Sequence, residues 1–374
     1  MRNAAEVRAA ESVEVLFGFF IPFNNFQTPE RSMQFDVSLR VRDLRTIATA
    51  ARAYEDMGYS AMWSSETGRC PFLPLAIAAT TTHRVGLGTA IAIAFVRSPM
   101  VTALTAWDLQ KASNGRFTLG LGTQVRAHNE RRFSVPWTPP APRVKELIQC
   151  IRAIWTSFQT NAPATFQGQH YQFTLLTPTN NPGPIDHPDI PILLAAVNPI
   201  MCRTAGEVAD GLQVHSFHSR RYLREVVRPA VEEGRRRAGK KPEGFQYTAA
   251  LFCVTGHTRA EMEQSEHQAK DRIAYYASTP GYRGVMDAHG WGGVADELKL
   301  MVRRGEWDRI AAKITDEMLA EFAVVAPPER LGAAIRAHCD GLLDRASLYM
   351  HIPPDDPDGR WRTVLRDLGQ TNLQ

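Results

Sequence analysis

Cysteine is scarce in this sequence, with five residues in 374. Cys70, Cys150, Cys202, Cys253 and Cys339 are odd in number, far apart, and form no Cys-x-x-Cys pair. That spacing excludes a disulfide framework and a structural zinc site of the usual kind. Neither sign of charge dominates: 43 Lys and Arg against 39 Asp and Glu leave a formal net charge of +4. No basic stripe is interleaved with aromatics, so nothing speaks for nucleic acid. The densest basic stretch, "EEGRRRAGKK" at 232–241, falls at an expected helix end, where cations complement the helix dipole. No apolar run approaches the length of a membrane span, and the opening "MRNAAEVRAAESVEV" lacks the apolar stretch of a secretory signal. The expectation is a cytoplasmic protein with no membrane or nucleic-acid partner. Also missing is a Gly-x-Gly-x-x-Gly after the first strand, with its acidic partner further on, which argues against a dinucleotide fold.

What is present is alternation. "VEVLFGFFIP" (13–22) reads as a strand closed by Pro22. Leu44, Ile47, Ala48 and Ala51 then share a helical face, with Gly58 as its stop. Strand-like "SAMWSSE" (60–66), helical "LPLAIAATTTH" and strand-like "RVGLGTAIAIAF" (84–95) follow. Ser98-Pro99 is a cap and first turn for the next helix, and "RFTLGLGTQ" supplies a fourth strand. Val144, Leu147, Ile148, Ile151, Ile154 and Trp155 mark the clearest amphipathic helix.

After an irregular stretch at about 160–189, holding the expected hairpin "ATFQGQHYQF", alternation resumes with "IPILLAAV", a helix from Pro199, "GLQVHSF", a helix, and "FQYTAALFCVTG". A long helix (258–278), a second irregular insertion (about 279–323), the strand "RASLYMHI" (345–352) and a closing helix (360–368) complete the chain. Eight strands separated by helices must run parallel. They predict an α/β fold, a (β/α)8 TIM barrel forming one domain over 1–374, with both insertions at its C-terminal rim. The rival is an open doubly wound sheet.

Chemistry in such a barrel belongs at the C-terminal strand ends. "AAVNPIM" ends a strand and opens a helix at Asn198-Pro199, and a helix N-terminus offers N–H groups to an anion. "LGLGTQ" adds small residues and the Thr123 hydroxyl. Glu66 is either an acid–base group, its pKa raised by an apolar pocket, or a cap for the next helix. His128, His215 and His218 are rim histidines without metal-ligand spacing, so no metal is expected. His128 is the one most expected to touch cofactor or substrate. Phe19, Phe20, Phe23 and Trp63 divide between lining an apolar pocket and filling the barrel.

The run "GYSAMWSSETGRCPFLPLAIAATTTHRVGLGTAIAIAFVRSPMVTALTAWDLQKASNGRFTLGLGT" resembles the luciferase-like monooxygenase superfamily, in particular its branch using the deazaflavin coenzyme F420. The resemblance continues through "PRVKELIQCIRAIW", "FQGQHYQF", "PILLAAVNPIMCRTAGEVADGLQVHSF" and "ITDEMLAEFAVVAPPERL" and covers essentially the whole chain. It implies a TIM barrel with rim insertions, a bulge after the third strand at Ala90-Ile91, often with a cis peptide, and Ser65 beside it. It also implies a ribityl-phosphate cradle between Gly122, Thr123 and Gln124 and the helix start at Val197, Asn198, Ile200 and Met201. Arg126, Arg131, Arg132 and Arg203 are the implied partners of an acidic oligoglutamyl tail.

Three departures matter. Ser65-Glu66 stands where F420-dependent sugar-phosphate and alcohol dehydrogenases have Asp-His. Val125 or Arg126 stands where the former have Glu, and Cys70-Pro71 replaces Asp-Pro. The resulting expectation is an F420-dependent oxidoreductase moving hydride to or from a small organic substrate, with Glu66 or His128 handling protons. The alternatives are an FMN-dependent monooxygenase fed by a separate reductase and a non-catalytic flavin- or ligand-binding barrel. A homodimer is expected from the resemblance.

Overall fold

The computed structural model describes residues 33–40 and 43–370. The described residues fall in one compact unit, Ser32–Gln374. Eight parallel strands close into a barrel. They are β1 (Gln34–Phe35 and Val37–Ser38, broken at Asp36), β2 (Ala61–Ser64), β3 (Gly86–Thr89), β4 (Phe117–Gly122), β5 (Ile192–Ala196), β6 (Gly211–Val214), β7 (Gln246–Val254) and β8 (Arg345–Leu348). The order β8-β7-β6-β5-β4-β3-β2 is closed by β1, which pairs with β8 through Gln34–Phe35 and with β2 through Val37–Ser38.

The expected strand at 13–22, with Phe19, Phe20 and Phe23, lies outside the described residues. Among those described, the closing strand is β1, which the sequence reading did not mark. Asp36 in its middle makes it read as a loop. The structure explains the charge: Phe35 and Val37 are buried against the helices, while Asp36 turns inward, fully buried, onto Arg345. Arg345 Nη2 lies 2.6 Å from Asp36 Oδ1, and both Arg345 Nε and Trp63 Nε1 donate to Asp36 Oδ2 at 2.8 Å. A buried charge is tolerable only when so paired. Trp63 therefore fills the barrel.

The helices that the periodicity predicts are α1 (Ile47–Met57), α2 (Phe72–Thr81), α3 (Pro99–Ala112), α4 (Pro140–Thr160), α5 (Pro199–Val208), α6 (Arg228–Arg237) and, after α7 (Pro328–Cys339), which the sequence reading did not mark, α8 (Arg360–Asp367). All six marked residues of α4 are buried, each aliphatic one contributing about 1.5–3 kcal/mol of burial. Ser98 Oγ accepts the Val101 N–H at 3.2 Å to cap α3, and Gly58 ends α1 at φ +98°, a conformation that suits glycine. Leu44, expected on the buried face, stands exposed in the turn before α1.

The first insertion holds the expected hairpin, Phe166–Gln167 against Gln172–Phe173. The second is not irregular but helical, with Arg283–Asp287, Gly292–Arg303 and Asp316–Phe322. Left-handed glycines at Gly290 and Gly305 cut it into pieces too short for a clear period. The long helix Arg259–Ala277 launches this excursion from β7, and Ala323–Val325 returns it to pair with Phe252–Val254 of the same strand. Among the described residues no helix is long and apolar enough to cross a membrane, and no group of three His, Cys, Asp or Glu could hold a metal.

Candidate active site

Four consecutive strand ends carry the predicted cofactor residues. Ser64 pairs with Thr89 in register, and the chain then bulges through Ala90 and Ile91, joined by a cis peptide as the resemblance implies. The bulge is tied to the end of β2: the Ala90 N–H donates to Ser64 O at 2.8 Å and the Glu66 N–H to Ile91 O at 3.1 Å. On its other side Ala92 and Ile93 pair with Leu121 and Gly122 of β4. A Cβ built on Gly122 would lie 2.7 Å from Ile91 Cγ1, so glycine is what lets the strand lie against the bulge. Leu121 pairs with Leu194 of β5. Register therefore brings Ser65, Ala90-Ile91, Gly122–Gln124 and Val197-Asn198 side by side along one half of the rim.

Glu66 does not cap the helix that follows it. The residue before α2 is Pro71, and no side chain caps that helix. Instead the Glu66 carboxylate, 7% exposed, meets Arg97 at 2.5 Å and accepts the Ile93 N–H at 2.7 Å. Arg97 Nη1 adds a second contact at 2.8 Å. Both carboxylate oxygens are engaged in fastening the bulge. The neighbouring Glu66 carboxylate also holds the Arg97 pKa above its ordinary value.

Beyond Gly122, Gln124 adopts φ +58°, and its side-chain carbonyl accepts the Val125 N–H at 2.9 Å. Thr123 O accepts from the buried Asn129 Nδ2 at 3.0 Å. His128 stands exposed on the short helix Arg126–Arg132, and no described hydrogen bond or ring contact joins its side chain to Glu66 or the bulge. Arg126 pairs with Glu130 (3.0 Å), and Arg132 donates to Thr67 O. Arg203 faces away along α5, paired with Glu233 of α6 at 3.2 Å, which removes it from the expected tail contacts. At the start of α5, Asn198 takes an extended backbone but its side chain caps nothing, leaving the first-turn N–H groups at Ile200 and Met201 without a side-chain acceptor.

The opposite half of the rim is made of rings. Gln213, pointing inward from β6, donates across the barrel to Thr89 O at 2.9 Å. Two residues on, His215 again faces inward. Its ring stacks on Tyr282 (centroids 4.5 Å) and meets the edge of Tyr276 (4.7 Å). The Tyr282 hydroxyl lies 3.2 Å from His215 Nε2, and the Tyr276 and Tyr349 hydroxyls are 2.8 Å apart. Burial pushes His215 and the fully enclosed His218 each down to about 4, and the Tyr282 phenol up to about 12.

A family model described as luciferase-like monooxygenase matches residues 15–345. The chain belongs to this family. Among its relatives is an uncharacterized protein of Mycobacterium tuberculosis, 42% identical over 315 residues, covering 84% of this chain and 92% of the relative. Another protein of that organism, provisionally named a coenzyme F420-dependent oxidoreductase, is 30% identical over 296 residues, 74% of this chain and 83% of the relative. The solved structure of the coenzyme F420-dependent tetrahydromethanopterin reductase of Methanopyrus kandleri superposes with a TM-score of 0.72 at 20% identity, covering 89% of this chain and 97% of that one. At that identity the likeness speaks for the fold.

Within this luciferase-like barrel the sequence reading found the half built from main chain and missed most of the half built from rings. His215 was visible as a rim histidine. Tyr349 follows the last strand, where alternation could have placed it at the mouth. Tyr276 and Tyr282 belong to the excursion, and no local spacing signals their meeting with His215.

Proposed function

We propose that this chain is an F420-dependent oxidoreductase acting on a small organic substrate. The observation that carries the reading is the run of backbone at four adjacent strand ends, with the relative named for F420 as its sequence support. The residues present fit such a group. Gly122 leaves no side chain between β4 and the bulge, the Thr123 hydroxyl has no described partner, and the first turn of α5 offers uncapped N–H groups to a phosphate.

Gly122, Thr123, Gln124, Val197, Asn198, Ile200 and Met201 would hold the ribityl phosphate, with Ser65, Ala90 and Ile91 behind the ring. When bound, deazaflavin donates or accepts hydride at C5 of its tricycle. The protein's own part is to orient that face and to exclude water. Glu66 acts by fixing the bulge through Arg97, a positioning task in place of proton transfer. His128 and Arg131, exposed on the helix beyond β4, stand where they would meet the outer part of the cofactor.

Fluorescence titration of the purified chain with F420 and with FMN tests this reading. F420 is expected to bind at least about tenfold more tightly, a difference of about 1.4 kcal/mol. Binding of FMN alone would overturn it in favour of a reduced-flavin monooxygenase. Binding of neither would leave a barrel for another ligand.

A further inference from the structure

The ring-built half of the rim has a hydrogen-bond polarity that can be worked out atom by atom. The Phe217 main-chain N–H donates to His215 Nδ1 at 3.0 Å. A main-chain amide is always a donor, so Nδ1 is an acceptor and carries no proton. The neutral imidazole must then hold its hydrogen on Nε2. Nε2–H is consequently the donor to the Tyr282 oxygen at 3.2 Å. Tyr282 receives that bond and keeps its own hydroxyl hydrogen, for which the described residues provide no acceptor.

Position gives this hydrogen a purpose. The link from Gln213 to Thr89 O sets His215, two residues beyond Gln213, across the barrel from Ala90, the residue after Thr89. The histidine–tyrosine pair thus stands at the same mouth of the barrel as the bulge. Its surroundings are uncharged rings: the stacked His215 and Tyr282, the edge of Tyr276, and Phe252 behind Tyr276 and Tyr349. Cations stand only at its edge: Arg40 lies over the Tyr349 ring at 5.2 Å, and Arg272 acts on the Tyr276 phenol. No carboxylate hydrogen-bonds to His215, Tyr276, Tyr282 or Tyr349 among the described residues.

We propose that Tyr282, oriented by His215, is the hydrogen-bond donor to the carbonyl oxygen of an uncharged, planar substrate. Tyr282 would touch that substrate, and His215 is a positioning residue acting through it. The inference rests on the oxidoreductase reading above and supplies its substrate class. Stacked ring faces favour a flat, unsaturated molecule. A single uncommitted O–H in a low-dielectric wall favours a substrate oxygen that accepts, and would penalise an analogue unable to do so.

The test uses the full-length chain and 4-(dimethylamino)benzaldehyde, an uncharged planar aldehyde whose absorption moves to longer wavelength when its carbonyl accepts a hydrogen bond. The wild type is expected to give a saturable red shift. Tyr282→Phe should lose the shift and bind about three- to tenfold more weakly. His215→Phe keeps a ring in the stack and should diminish the shift. His215→Gln, whose amide N–H sits near the Nε2 position, should restore it, a recovery that a packing role would not produce. Tyr275→Phe, on the exposed side of the helix Arg259–Ala277 against Trp307, should change nothing.

A shift that survives Tyr282→Phe, or no saturable binding by the wild type, overturns the proposal. Should Tyr282→Phe fail to fold, the His215→Phe and His215→Gln pair decides it by the same shift. Titration with F420 in parallel separates the two readings. A Tyr282-dependent shift without F420 binding sinks only the cofactor assignment, and F420 binding without that shift sinks only this one.

Discussion

The two halves of the barrel mouth are built from different materials. From β2 to β5 the rim is main chain: a bulge, a glycine laid against it, a left-handed Gln124 and an uncapped helix start, clamped by the Glu66–Arg97 pair. From β6 to β8 it is side chain: a histidine and three tyrosines drawn from separated segments and joined by neutral hydrogen bonds and ring contacts. A backbone site is indifferent to most substitutions and acutely sensitive to a few. A side-chain site can be rewritten residue by residue. The first suits a group common to many relatives, the second a ligand particular to one.

The largest effect expected on this contrast comes from Arg97→Ala. It strands the Glu66 carboxylate beside the bulge, and losing one partner of a buried pair costs about 3–5 kcal/mol. Urea denaturation should show the fall, and the double variant Glu66→Gln with Arg97→Met should recover much of it. Next is Gly120→Ala. A Cβ there would collide with Thr89 O and lie 2.7 Å from Gln213 Oε1, breaking the tie that links the two halves. Overpacking of this kind costs about 3 kcal/mol at its upper end, and the same denaturation series reads it.

Acid should act on the ring-built half through its histidines. His218 has its folded pKa lowered to about 4 from 6.5, chiefly by burial, so the unfolded chain binds the extra proton first as pH falls. Its contribution is intact above pH 6.5 and declines toward about 4, by about 1.4 kcal/mol per pH unit. Denaturation midpoints at pH 7 and pH 5 should differ accordingly, and His218→Gln should reduce that difference while leaving the share of His215, whose pKa burial lowers likewise. The smallest effect has two opposite signs. Asn198→Asp places a negative charge at the start of α5, which should stabilise the fold by about 0.5 kcal/mol yet weaken binding of any phosphate-bearing cofactor. Thermal melting and the F420 titration read the two signs separately.

The barrel was legible because local periodicity suffices for it: amphipathic helices and short apolar strands announce themselves within a dozen residues. β1 was not, since Asp36 is a poor strand residue until Arg345, hundreds of residues later, neutralises it. The end of β4 and the start of α5 were legible for the same local reason, as Gly122 and Asn198-Pro199 are backbone signals. Glu66 was noticed but its partner was not, because Arg97 is brought to it only by the pairing of neighbouring strands. Tyr276 and Tyr282 carry no pattern of their own, and only tertiary packing brings them to His215.

The excursion after β7 leaves and rejoins on one strand, with Arg259–Ala277 at its start and Ala323–Val325 stitched back to Phe252–Val254. Its two ends are therefore near neighbours, and the loop of chain between them resembles a cassette plugged into a single socket. Tyr276 and Tyr282 travel with that cassette, whereas Gly122 and the start of α5 do not. Exchanging it for the corresponding segment of a relative would replace both tyrosines in one move, without reopening the barrel or disturbing the strand ends from β2 to β5.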